Sequence, residues 1–228
     1  MKSRIDIIGA IVPNDDVWIY NWFEMDCTSP KMVNDALLKA AGNDIEVYIN
    51  SGGGDVFSGS EIYSALRAYE GKVNIHIVGI AASAASVIAC AGHSDISPTA
   101  MVMIHNVSSS ARGDYHAMDK ESEILQKANK AGSAAYEAKC GISEQEALKM
   151  MDRESWMTAK EAVELGLVDE IAEAKNLQLV ASESGMIPRS IIDKLKNEIK
   201  GPMNSTTLDV EKEKLNLLKL KGSFKNEI

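Results

Sequence analysis

Cysteine is scarce in this 228-residue chain, and Cys27, Cys90 and Cys140 stand far apart with no CxxC pair. That spacing fits neither a disulfide framework nor a zinc site, so the three read as core residues of a protein from a reducing, cytoplasm-like compartment. No apolar run approaches the ~18 to 20 residues that a membrane-spanning helix needs. The opening MKSRIDIIGAIVPNDD lacks the apolar region and small-residue cleavage site of a signal peptide. Basic residues are outnumbered, 24 against 33 acidic, for a formal charge of −9. A surface that tracks phosphates needs a basic stripe, so nucleic acid is not an expected partner, and neither is a membrane.

What is present suits one main domain, since 45% apolar composition over this length can bury a sizeable core. Residues 4–12 and 44–50 read as strands; in the second, Ile45, Val47 and Ile49 alternate with Glu46, Tyr48 and Asn50. Between them, PKMVNDALLKAAG places Val33, Leu37 and Ala41 on one helical face and stops at Gly42. SGGGD reads as a turn, 57–70 as a helix closed by Gly71, and VNIHIVG as a further strand. Alternation of this kind implies an α/β fold with a parallel sheet. SAASVIACAG then reads as a short helix and MVMIHN as another core strand. Asp114 to Lys139 is a long polar helix with too few apolar positions to be buried, expected to project and pack on another subunit. Capping boxes Ser143/Glu146 and Thr158/Glu161 set helix starts near 144 and 159, and LVDEI after Gly166 is a last edge strand. From about Asn176 the composition turns lysine-rich and polar, so 176–228 is expected to be an appended, partly helical or disordered arm on a body of 1–175.

Chemistry concentrates at two strand ends. Ser83 stands where VNIHIVG gives way to a helix, flanked by Gly79, Ala81, Ala82, Ala84 and Ala85, which leave room for a substrate backbone. A serine nucleophile needs such a turn, a base within hydrogen-bond reach and donors for the developing oxyanion. His105 ends the strand MVMI, 22 residues after Ser83, at the carboxyl end where open parallel sheets build their sites. His76 lies mid-strand, His93 in a turn and His116 at the opening of the polar helix, so none has comparable placement. Gly52, Gly53 and Gly54 let backbone amides face a substrate carbonyl. The segment lacks the Gly-Lys-Ser/Thr ending of a phosphate loop.

Four segments, in order, resemble the proteolytic subunit (ClpP) family of the Clp protease. INSGGGDVFSGSEIY resembles its strand-loop-helix with a Ser-Pro-Gly-Gly turn, GIAAS the segment around its nucleophile, MVMIH the segment ending in its histidine, and SWMTAKEAVELGLVDEI its late helix. The resemblance covers 4–171 and implies the spiral of ββα units shared with crotonases, with a handle helix at about 107–141. It implies a serine endopeptidase in which Ser83 is the nucleophile, His105 the general base, and the amides of Gly54 and Ala84 the oxyanion hole. Glu154 stands where the family has its aspartate, with Asp152 in reserve, and a glutamate can orient a histidine as an aspartate does. It further implies polypeptide substrates, no cofactor or metal, and a homo-oligomer of one or two rings of seven. Gly52 in place of the family's proline, the short segment before the first strand and the carboxyl-terminal arm resemble the phage and prophage Clp-like proteases that process capsid and scaffold proteins at the procapsid, and they put an ATPase partner in question. Two rival readings stand beside it: a crotonase-like acyl-CoA enzyme, and an inactive ring or capsid component.

Overall fold

The computed structural model describes residues 3–173 and 186–199. The chain divides into two units, Met1–Met186 and Ile187–Ile228, and each is described by itself.

In the first unit the strands β1 (Ser3–Ile11), β2 (Cys27–Thr28), β3 (Ile45–Gly54), β4 (Val73–Ala82), β5 (His93–Ile96), β6 (Met101–Ile104), β7 (Ser155–Thr158) and β8 (Glu170–Ile171) form one sheet. Its main path runs β2-β1-β3-β4-β5-β8, and β6 joins β4 and β7 off that path. All pairs are parallel except β6 with β7. The long β4 forks: Asn74–Ile77 pair with β5, whereas Ile80–Ala82 pair with β6. That fork brings the ends of β4 and β6 side by side, which positions the site.

Helices α1 (Val17–Trp22), α2 (Pro30–Ala40), α3 (Val56–Ala68), α4 (Ala84–Ala89), α5 (Tyr115–Cys140), α6 (Glu144–Asp152) and α7 (Ala159–Glu164) complete the unit. Val33 and Leu37 of α2, Ile62 and Leu66 of α3 and Ile88 of α4 pack with Ile45, Val47, Ile49, Ile75 and Ile77 in one buried cluster. Each such side chain contributes roughly 1.5–3 kcal/mol by leaving water. The alternate positions Glu46, Tyr48, Asn74 and His76 point to the opposite face and are half-buried. There His76 bridges three strands, its Nδ1 2.8 Å from Asp95 Oδ2 and its Nε2 2.6 Å from Glu46 Oε2. Burial alone would lower the imidazolium's pKa, but the bonds to Asp95 and Glu46 outweigh it and the net shift is upward.

Both capping boxes form, at Ser143 with Glu146 and at Thr158 with Glu161, and start α6 and α7 as the spacing predicts. Two segments differ from their sequence reading. SGGG continues β3 instead of turning, because Gly53 and Gly54 pair with Ala10 and Ile11 of β1, and Asp55 then caps α3. SWMT is a strand, held antiparallel against β6. His93, read as a turn residue, opens β5. The handle is helical from Tyr115, and its buried residues, Ser133, Ala135 and Tyr136, all lie in the last third. Lys139 near its end bonds the Gly92 carbonyl at 3.0 Å and the Asp169 carboxylate, pinning α5 to the sheet. Cys27, Cys90 and Cys140 are free thiols, and Cys27 and Cys90 are buried.

In the second unit Arg189–Ile199 forms α8. Apart from residues 186–188, the rest of the arm expected over 176–228 lies outside the described residues. Among the described residues, no helix is long and apolar enough to cross a membrane.

Candidate active site

Ser83 forms the elbow between β4 and α4, with φ 56° and ψ −125°. A residue with a side chain held there stores roughly 1–3 kcal/mol of strain and persists only when its surroundings fix it. Here they do. The Ser83 amide donates to the Met103 carbonyl of β6 at 2.9 Å, and the Ser83 carbonyl accepts from the Ser86 amide at 3.0 Å. Ser86 Oγ also donates to that carbonyl at 2.6 Å, so the Tyr136 hydroxyl, 2.9 Å away, donates to Ser86 Oγ. Both side chains are buried, and burial pushes the Tyr136 hydroxyl above its ordinary range. Neither residue was singled out from sequence. Ser86 stands three residues after Ser83, a helical spacing that could have flagged it, whereas Tyr136 lies fifty residues away and carries no local signal.

His105 is the first residue after β6, and its Nε2 lies 2.7 Å from Ser83 Oγ. The two directly follow the neighbouring strands β4 and β6, which pair through Ala82 and Met103. This explains how residues 22 apart meet: each leaves the carboxyl end of its strand on the same edge. With Nε2 unprotonated, the serine hydroxyl donates to it, the geometry required to remove the proton as the oxygen attacks.

The glycine run lies against Ser83. A Cβ on Gly53, whose φ is +93°, would sit 2.6 Å from the Ala82 carbonyl oxygen, 2.7 Å from Ser83 Cβ and 3.0 Å from the Ala84 nitrogen. A Cβ on Gly54 would strike the Ile11 carbonyl oxygen at 2.1 Å. Ser51 Oγ fixes the run by donating to the Gly9 carbonyl at 2.6 Å and accepting from the Gly53 amide at 3.1 Å. Ala84 opens α4, so its amide is one of the first-turn donors that find no acceptor within their own helix.

Of the two candidate carboxylates, neither hydrogen-bonds His105. Asp152 Oδ1 accepts from Asn106 Nδ2 at 2.8 Å, and Glu154 Oε1 accepts from Trp156 Nε1 at 3.0 Å. Their placements differ all the same. β6 pairs with β7 through Ile104 and Ser155, so continuing the antiparallel register by one step sets Glu154 opposite His105. Glu154 also adopts a φ of 50°, unusual for a residue with a side chain.

Ser83 and His105 open onto a cavity of about 260 Å³. Its lining is mainly apolar and small, including Gly59, Ala84 and Val87 on one side and Ala131, Gly132 and Ala135 of α5 on the other. Phe57, 76% exposed, also contributes.

Residues 3–175 match the Clp protease family model. Two relatives from two strains of Bacteroides fragilis, each described as an ATP-dependent Clp protease proteolytic subunit, are 35% identical over 133 residues. That stretch is 57% of this chain and spans 64% and 60% of the relatives' own lengths. With most of the described body inside the family match, this chain belongs to the Clp protease family.

Proposed function

We propose that this chain is a serine endopeptidase acting on polypeptides. The observation that carries the reading is the 2.7 Å approach of His105 Nε2 to Ser83 Oγ on a strained strand-to-helix elbow. In the proposed cycle His105 takes the Ser83 proton as Oγ attacks the scissile carbonyl, and then gives it to the leaving amine. A water activated by the same imidazole releases the acyl group. The amides of Gly54 and Ala84 receive the oxyanion. Glu154, opposite His105 in register, is the orienting carboxylate once its side chain leaves Trp156, and Asp152 is the reserve. The apolar cavity beside Ser83 suits a substrate side chain next to the scissile bond.

The exposed outer part of α5 supports self-association, because a helix of this length buries its narrow apolar stripe only against a partner. The assembly we propose is one or two rings that enclose the sites. Gly52 where the family has proline makes phage capsid and scaffold proteins the first substrates to try. Fluorophosphonate labelling of the purified chain tests the reading: the protein should be labelled, and Ser83→Ala should remove both the label and hydrolysis of a fluorogenic peptide. Peptide turnover retained by Ser83→Ala would refute it, and a wild-type chain that assembles yet neither labels nor cleaves would favour the inactive ring component.

A further inference from the structure

We infer that α5 positions both members of the catalytic pair, through Asn129 behind His105 and Tyr136 behind Ser83; the inference rests on the serine-peptidase reading. β6 stops at Ile104, and residues 105–112 have no regular structure. His105 therefore stands just beyond the sheet ladder, and no carboxylate holds its ring. What anchors the backbone behind it is Asn129, whose Oδ1 accepts the Val107 amide at 2.7 Å. Without that acceptor the half-buried amide must turn toward water, carrying with it the backbone two residues from the imidazole.

Tyr136 lies seven residues further along α5, two turns on and therefore on the same face. Its hydroxyl donates to Ser86 Oγ, which donates to the Ser83 carbonyl. One stripe of one helix thus reaches the backbone two residues past the base and, through Ser86, the carbonyl of the nucleophile, although neither side chain touches the reacting atoms. The outer part of the same helix is exposed, so partner contacts there would bear on a rod whose inner end holds the catalytic geometry.

The test compares Asn129→Ala, Asn129→Asp and Tyr136→Phe with wild type and Ser83→Ala, measuring kcat and KM on a fluorogenic peptide, fluorophosphonate labelling rate and sedimentation. Asn129→Ala and Tyr136→Phe should each lower kcat about 10- to 100-fold, the scale of a sub-ångström to 1 Å misplacement. KM should move little and the sedimentation profile should match wild type. Asn129→Asp, which keeps the acceptor, should recover to within about threefold of wild type. Should Asn129→Ala fail to fold, Tyr136→Phe, which keeps the ring and loses only the hydroxyl, carries the test with Asn129→Asp. Wild-type kcat in Asn129→Ala and Tyr136→Phe, or losses that track only loss of assembly, would overturn the inference. Failure of the wild-type chain to label would instead refute the reading beneath it.

Discussion

Replacing Gly53 by alanine probes the feature on which the candidate site most depends, the close seat of the glycine run against Ser83. Two costs arise. At φ +93° a side chain is strained, by roughly 1–3 kcal/mol. The new methyl would also stand 2.6 Å from the Ala82 carbonyl and 2.7 Å from Ser83 Cβ. Neither neighbour can yield easily, because Ala82 is paired with Met103 in the sheet and the Ser83 backbone is bonded on both sides. The glycine run itself must therefore move. Together the two effects amount to about 3 kcal/mol, which lowers the thermal midpoint of a domain this size by roughly 6–12 °C if unfolding is two-state. Activity should fall further than stability, since a shift of about 1 Å at the proposed oxyanion donors costs on the order of 100-fold. Gly52→Ala is the control: Gly52 is exposed and is not among the positive-φ residues, so it should change both properties little. Thermal melting and fluorophosphonate labelling read the two effects separately. Gly53→Ala with a wild-type midpoint and labelling rate would show that the run does not pack on Ser83, and the reasoning would fall.

Glu154→Gln should lower kcat at least ~100-fold, because a neutral amide cannot stabilise the imidazolium formed during attack; Asp152→Asn should be much milder, and the reverse ranking in peptide kinetics would make Asp152 the orienting carboxylate. His76 binds its proton more tightly in the folded chain than its ordinary value of 6.5 allows. Stability from its bridge to Asp95 and Glu46 is therefore complete below pH 6.5 and is lost as pH rises through the raised folded value. His76→Gln should flatten the decline in thermal midpoint as pH rises above 6.5, and an unchanged slope would remove His76 as its source. At Gly132 a Cβ would meet nothing within 4 Å, so Gly132→Leu should fold at least as well, glycine being ~0.8–1.0 kcal/mol worse than alanine inside a helix. It should narrow the cavity and cut kcat/KM for a peptide with phenylalanine before the scissile bond roughly tenfold relative to one with alanine; equal losses on both peptides would place that side chain elsewhere.

Local chemistry made much of this protein legible from its residues. Alternation in DIEVYIN, the two capping boxes and the small residues around Ser83 act within a few positions of one another, so strand, helix start and elbow could be read directly. Ser83 and His105 could likewise be nominated, each from its place at a strand end, and the resemblance to the Clp family joined them. Pairing between strands decided the rest. SGGG is strand because β1 offers it partners, SWMT is strand because β6 does, and His76 belongs to a charged bridge because β3 and β5 flank it. Carboxylate placement follows the same rule: Asp152 ends α6 and Glu154 stands two residues on, and only the register of β6 on β7 sets Glu154 opposite His105. Asn129 and Tyr136 are the extreme case, polar residues on a polar-looking helix whose partners lie 22 and 50 residues away. A hydrogen bond over such a separation leaves no period or motif in the chain, because what sets it is the path of the backbone between its two ends.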